Sequence, residues 1–261
     1  MDPNEVLLSV TDDRYMKCAD EYVITHGSFL DVFQQSDVLK RYSKVKDCNF
    51  FLYGGHPDCE RKLPVFAPKH LETDCEEDLY NYFLENPDDD PVSCIHIKKD
   101  KFSSMTHRDY LGALMGLGIK RETIGDIDVS ENGAYIFTLK KIAPFICDNL
   151  ISVGRGSVRA VVTEKSDYRP VKAKIEEKTS TVSSLRLDNI VSLCYNLSRT
   201  KATEAVNSGL VFVNGVEDCK PDRKVGEGDK IVFRSKGKVV VKEIAGLTKK
   251  QRTVVVVDIY K

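Results

Sequence analysis

Residues Leu197–Gly215 read LSRTKATEAVNSGLVFVNG. Ser198 is suited to an N-cap, because its hydroxyl can accept an early backbone N–H. Ala202, Ala205, Val206 and Gly209 recur at i, i+3, i+4 and i+7, the spacing of one helix face. Gly209 can take the left-handed conformation that closes a helix. LVFVNG then alternates like a strand and ends at Asn214-Gly215, a hairpin signal. The spacing therefore predicts a short helix, a glycine stop, a strand and a tight turn. The charge at the helix start is unusual. Arg199 and Lys201 stand in the first turn, where the helix dipole favours anions. An anionic ligand such as a phosphate would be held there by free N–H groups and both side chains. A solvated basic helix end, paired with Glu204 or Asp188, explains the same residues, and the helix by itself leaves both explanations open.

The surroundings extend the pattern. Leu187, Ile190, Val191 and Cys194 form the apolar stripe of a preceding helix. Asp188, Asn189, Ser192 and Asn196 fall on the opposite side, and Ser184 is the expected N-cap. Arg186, at the start of that helix, can converge on the same patch as Arg199 and Lys201. Downstream, GEGD (226–229) is a turn before the strand KIVFR. TVVVVDIY is an apolar closing strand, covered on both faces or lying at a barrel seam.

Two seams divide the rest of the chain. ENPDDDP (85–91) is polar and bracketed by proline, as a linker is. KAKIEEKTSTVSS (172–184) replaces apolar periodicity with charge and Ser/Thr. Between them VSCIHI, THRDYLGALMGLG, GDIDV, AYIFTL, KKIAPFICDNLISVG and SVRAVVTE alternate as β-α-β-β-α-β. Thr106 is the expected cap of the first helix, Asn132-Gly133 the hairpin turn, and Pro144 sits in the first turn of the second helix. This order is the ferredoxin-like plait, also used by RNA-recognition motifs. The segment has no run of glycine with exposed aromatics of the RNP type, so base stacking on its sheet is not expected. The head is a small α+β domain: two helices over Asp12–Lys46, then strands at CNFFLYGG and LPVFAP. The fold class is thus α+β, in three domains: head 1–88, RRM-like plait 91–172, and C-terminal module 181–261.

Charge is segregated along the chain. Residues 1–91 hold 9 Lys+Arg against 20 Asp+Glu, residues 92–179 hold 15 against 11, and residues 180–261 hold 15 against 9. An acidic head joined to two basic modules points to a polyanionic partner for the C-terminal two thirds. Within the plait, His107, Arg108, Lys120, Arg121 and Arg155 are candidates for a second such surface; salt bridging to the acidic head is the alternative. The eight cysteines form no C-x-x-C pair, which suits reduced thiols in a cytoplasmic protein. No apolar run reaches the ~18–20 residues of a membrane span, and the acidic N-terminus lacks the apolar core of a secretory signal.

Motifs of catalysis are missing. HRDYLGAL (from His107) matches the start of a kinase catalytic loop, but the downstream asparagine, the glycine-rich loop and D-F-G are absent. There is no P-loop and no H-E-x-x-H, and GRGSVR carries Arg159 where a dinucleotide loop needs its third glycine. The five histidines form no ligand spacing. The expectation is a chain that is not an enzyme, with no metal, cofactor or small-molecule substrate.

RLDNIV, LSRTKATEAVNSGLVFVNG and VGEGDKIVF together resemble the S4-like RNA-binding domain of ribosomal proteins, RNA pseudouridine synthases and tyrosyl-tRNA synthetases. The likeness covers about Val182–Ile244. Carried over residue by residue, it implies RNA contacts at Arg186, Ser198, Arg199 and Lys201, with Asn214 shaping the adjacent turn. YGGHPDCERK (53–62), THRDYLGALMGLGIKRETIGDI (106–127) and VGRGSV (153–158) extend the resemblance to the YlmH family over nearly the whole chain. That resemblance implies a ribosome-associated quality control factor that binds large-subunit rRNA and tRNA or peptidyl-tRNA, in a family also labelled as cell-division proteins. The alternative is an RNA-modifying enzyme, of pseudouridine synthase or methyltransferase type, that docks its substrate through the S4-like module. For that class, the only R-L-D, at Arg186–Asp188, lies in the binding module, and a methyltransferase's glycine-rich loop is absent.

Overall fold

The computed structural model describes residues 3–100, 104–170, 175–234 and 236–260. The chain divides into two compact units, Met1–Val171 and Lys172–Lys261; each is taken by itself.

In the first unit the head begins with helix α1 (Pro3–Glu21), the short strand β1 (Thr25–His26) and helix α2 (Val32–Tyr42). Asp31 caps α2, accepting from the N–H groups of Phe33 and Gln34. Strands β2 (Cys48–Tyr53) and β3 (Leu63–Pro68) follow, then helix α3 (Glu76–Glu85). The head sheet has the order β1-β3-β2. Helices α1 and α2 bury Cys18, Val38 and Tyr42 with Leu52 and Phe66 of the sheet.

The plait consists of β4 (Val92–Lys99), α4 (His107–Gly116), β5 (Ile124–Ser130), β6 (Gly133–Leu139), α5 (Ala143–Asn149), the short β7 (Ser152–Val153) and β8 (Gly156–Thr163). Its antiparallel sheet runs β5-β6-β4-β8-β7. This is the ferredoxin-like strand order with β7 added at one edge. Thr106 precedes α4 as expected, and Asp109 accepts from its backbone N–H at 2.7 Å. Pro144 lies in the first turn of α5. The alternation of β4, β6 and β8 sends Ile95, Ile97, Ala134, Ile136 and Ala160 towards one face, where Tyr110, Leu114 and Ile146 of the helices bury them.

On the other sheet face the head and plait share a core. Phe51, Tyr53, Leu79 and Phe83 pack with Val92, Cys94, Phe137, Leu139 and Tyr168. The stretch 85–91, read from sequence as a linker, is exposed over 85–89 and buried only at Asp90 and Pro91, where it enters the plait. Asp90 is 7% exposed. It accepts from the Val92 N–H at 2.9 Å and the Tyr53 hydroxyl at 3.1 Å, and it pairs with the Lys165 ammonium. Proline and acid signal a loop, but they carry no information about what that loop crosses.

The second unit contains β9 (Ile175–Val182), α6 (Leu187–Cys194), α7 (Arg199–Asn207), β10 (Val211–Val213), β11 (Val216–Glu217), β12 (Lys230–Phe233), β13 (Gly237–Leu247) and β14 (Thr253–Tyr260). The sheet order is β11-β10-β12-β13-β14-β9. Most of the seam 172–184 is thus strand: β9 pairs with β14 from Ile175↔Tyr260 to Val182↔Thr253, while 172–174 lie outside the described residues. An edge strand held by its backbone ladder needs no apolar face, so the sequence shows no period. β14 is paired on both sides, by β13 and β9. Val255 and Val257 on β14 join Leu187, Ile190, Val191, Ala202 and Val206 in one core.

Candidate nucleic-acid interface

Helix α6 begins at Leu187, with Arg186 as its N-cap residue in extended backbone. Ser184 is not the cap. Its hydroxyl instead accepts from the Asn189 side chain at 2.8 Å. The early N–H groups of α6 donate to a neighbouring loop: Leu187 to the Arg223 carbonyl (2.9 Å) and Asp188 to that of Pro221 (3.0 Å). With those donors satisfied, no side-chain cap is needed.

This entry turns Asp188 inward. Sequence spacing put Asp188 and Asn189 on the solvent side of α6, yet they are 1% and 9% exposed. Arg186 grips the Asp188 carboxylate with two bonds, Nε to Oδ1 at 3.1 Å and Nη2 to Oδ2 at 3.0 Å. Arg199 Nε approaches Oδ2 at 3.5 Å from the first turn of α7. Burial by itself would raise the Asp188 pKa, but the hydrogen bonds and charge of Arg186, with the charge of Arg199, hold it below the usual carboxylate range. One buried anion thus orients two cations that stay 38% and 60% exposed at the side chain. The group keeps a net positive charge facing solvent. Arg199 takes Asp188, one of the two partners that the sequence offered, and still presents an outward positive edge.

The remaining residues frame that edge. The Ser198 hydroxyl accepts from the Lys201 N–H at 3.3 Å, as an N-cap does. Lys201 is exposed. Helix α7 closes through Gly209 at φ 67°, with Gly209 N–H on the Val206 carbonyl and Leu210 N–H on that of Ala205, the paired bonds of a Schellman motif. A Cβ at Gly209 would lie 2.1 Å from Glu217 Oε1. Asn214 and Gly215 both have positive φ. The Asn214 side chain donates to Asp229 Oδ1 at 2.7 Å and accepts from the Lys230 N–H at 2.9 Å. Its contacts are to the fold, tying the hairpin turn to the start of β12.

The five plait residues do not behave alike. Arg121 turns inward, donating to the carbonyls of Ile124 (2.6 Å) and Gly125 (3.4 Å), and its pKa is lowered by burial. His107 lies near enough that Arg121, after burial, helps lower its pKa. Arg108, Lys120 and Arg155 are exposed at the start of α4, before β5 and in the β7–β8 turn. Among the described residues none of the five joins an ion pair. The described residues also contain no group of three or more His, Cys, Asp or Glu placed to hold a metal. No helix of the described chain is long and apolar enough to cross a membrane.

Asp188, like Asn189 beside it, is misplaced by sequence reasoning. Its signal was present in R-L-D, where an arginine and an aspartate two residues apart straddle a helix start.

Replacing Asp188 with Asn tests this arrangement. A carboxyl whose folded pKa is depressed contributes stability that is present above the unfolded value and lost as pH falls through the folded one. Wild type is therefore expected to melt higher than Asp188→Asn at pH 7, with the gap closing below about pH 4. Thermal melts by circular dichroism from pH 2 to 7 read this directly.

Comparison with known proteins places these features. Residues 87–167 match the family described as "Putative RNA-binding domain in YlmH", and residues 185–231 match the S4 domain. The chain is 32% identical over 238 residues to the ribosome-associated protein quality control protein P2 of Bacillus subtilis, covering 89% of this chain and 86% of that protein. A solved structure, the cell division protein ylmH from Streptococcus pneumoniae, is 18% identical with a TM-score of 0.48, over 64% of this chain and 94% of that one.

Proposed function

The chain belongs to the YlmH family, and on that premise we propose that it is a non-enzymatic RNA-binding factor in ribosome-associated quality control of stalled nascent chains. It docks on folded large-subunit rRNA through the S4-like edge and holds tRNA or peptidyl-tRNA on the same particle. The observation that carries this reading is the Arg186–Asp188–Arg199 cluster beside Lys201 at the start of α7. Guanidinium groups orientated by a buried carboxylate are pre-set for phosphate oxygens, so less side-chain freedom is lost on binding. Shape and backbone contacts of this kind suit a folded RNA helix, whose deep major groove side chains cannot read. The name of the Bacillus subtilis relative supports the ribosomal setting. Exposed Arg108, Lys120 and Arg155 supply a second basic surface on the plait.

Crosslinking in cells followed by sequencing of the attached RNA tests the proposal. Enrichment of one large-subunit rRNA helix together with tRNA is expected. Recovery of RNA with no large-subunit enrichment would overturn it, and a modified nucleotide produced by the pure protein would overturn the non-enzymatic assignment.

A further inference from the structure

The plait sheet has one face packed by α4 and α5, and the other is only half covered. On that second face the head buries Cys94, Phe137 and Leu139. The same face of the next rows holds different residues. Strand register aligns Asp128, Tyr135, His96 and Val161 across β5, β6, β4 and β8. One row further on it aligns Ser130, Gly133, Lys98 and Arg159. His96 and Tyr135 stack face to face, with centroids 4.4 Å apart and planes 10° from parallel. Both are half-buried, Val161 is 40% exposed, and Lys98 and Arg159 are exposed. Among the described residues neither cation joins an ion pair. At Gly133 φ is 143°, and a Cβ would lie 1.8 Å from the Ile97 carbonyl oxygen, so no side chain can cover the sheet beside Lys98.

We propose that this open half of the sheet binds unpaired RNA bases, which extend the His96–Tyr135 stack while Lys98 and Arg159 hold the adjoining phosphates. The site is distinct from the S4-like edge and does not depend on it. The chemistry selects the ligand. Every base has a π-face and can stack on a ring exposed at a sheet surface, whereas bases within a duplex are already stacked on each other. The two rings occupy the adjacent central strands β4 and β6, with a cation pair one row away. The acid in the row, Asp128, accepts the Tyr168 hydroxyl, and Tyr168 stands edge-on to Tyr135 at 5.3 Å, closing the platform on the head side. Burial and the charge of Lys98 lower the His96 pKa, which leaves a neutral ring for stacking at pH 7. The aromatics escape a motif search because they are single residues on strands nearly forty positions apart.

The test uses fluorescence anisotropy with the full chain and two probes: a labelled ten-nucleotide RNA single strand of mixed sequence, and its duplex. His96→Ala with Tyr135→Ala is expected to weaken single-strand binding about tenfold or more and to leave duplex binding unchanged. Tyr135→Phe keeps the ring and is expected to bind as wild type. Lys98→Glu with Arg159→Glu, both at exposed positions, keeps the proposal testable should the aromatic pair prove necessary for folding. It is expected to reduce the salt slope for the single strand by about 1.4, two contacts at roughly 0.7 each. Single-strand binding that survives in the folded aromatic variant, an unchanged salt slope in the charge variant, or equal competition by the duplex would overturn the proposal. Repeating the series in a chain carrying Arg199→Glu and Lys201→Glu removes the S4-like edge. Failure of the docking reading appears as folded-RNA binding that ignores those two changes. Failure of the sheet proposal appears as single-strand binding that ignores His96 and Tyr135.

Discussion

Arg199→Glu combined with Lys201→Glu is expected to lower affinity for a folded rRNA hairpin on the order of 100-fold at moderate salt. Two phosphate-directed cations are lost, and two anions are placed at the same helix start. The loss should be uniform across RNA sequences, because such contacts position the protein without reading bases. The slope of log K against log salt should fall by about two contacts. Ser198 and the Gly209 closure are untouched, so α7 itself should persist; acids in its first turn even suit the dipole. Filter binding across a salt series measures the effect, and co-sedimentation with large ribosomal subunits measures it in context. Unchanged sedimentation of the folded variant would remove the S4-like edge as the docking surface.

The second large effect concerns stability of the head–plait unit. Asp90 and Lys165 are each only 10% exposed at the side chain. Burial lowers the Lys165 pKa, and the charge and hydrogen bond of Asp90 oppose that shift. The Lys165 ammonium also donates to the Tyr53 hydroxyl at 2.7 Å. Removing one partner leaves an uncompensated buried charge, so Asp90→Ala is expected to destabilise the unit by about 3–5 kcal/mol. Asp90→Asn with Lys165→Met removes both charges and should recover part of that loss. Urea unfolding followed by far-UV circular dichroism checks both; an equal loss in single and double variants would mean that the pair's charge is not what matters.

Several elements were legible in the chain itself. The helical spacing of Ala202, Ala205 and Val206, the stop at Gly209 and the Asn214-Gly215 turn all appear where local chemistry put them. So do the Thr106 start of α4, Pro144 in α5 and the strand order implied by β-α-β-β-α-β. These depend on interactions within a few residues, or on a period that repeats over one element. The basic residues Arg186, Arg199 and Lys201 were likewise visible as an oddity of charge at a helix start.

Long-range placement was not legible. Strand β9 has no apolar period and exists through its ladder with β14, more than seventy residues away. Asp90 looks like linker acid, and only the packing of Tyr53 and Lys165 around it makes it a buried anion. Asp188 follows a helical period to the solvent side, but the loop 221–223 caps α6 and encloses it. His96 and Tyr135 meet only because β4 and β6 are neighbours in register. Sequence determined the local elements and the positive sign of the edge at the start of α7, since propensity, capping and charge act at short range. The tertiary structure decided which charges are buried, which are shared and which rings share a face, because those depend on partners that the chain brings together only on folding.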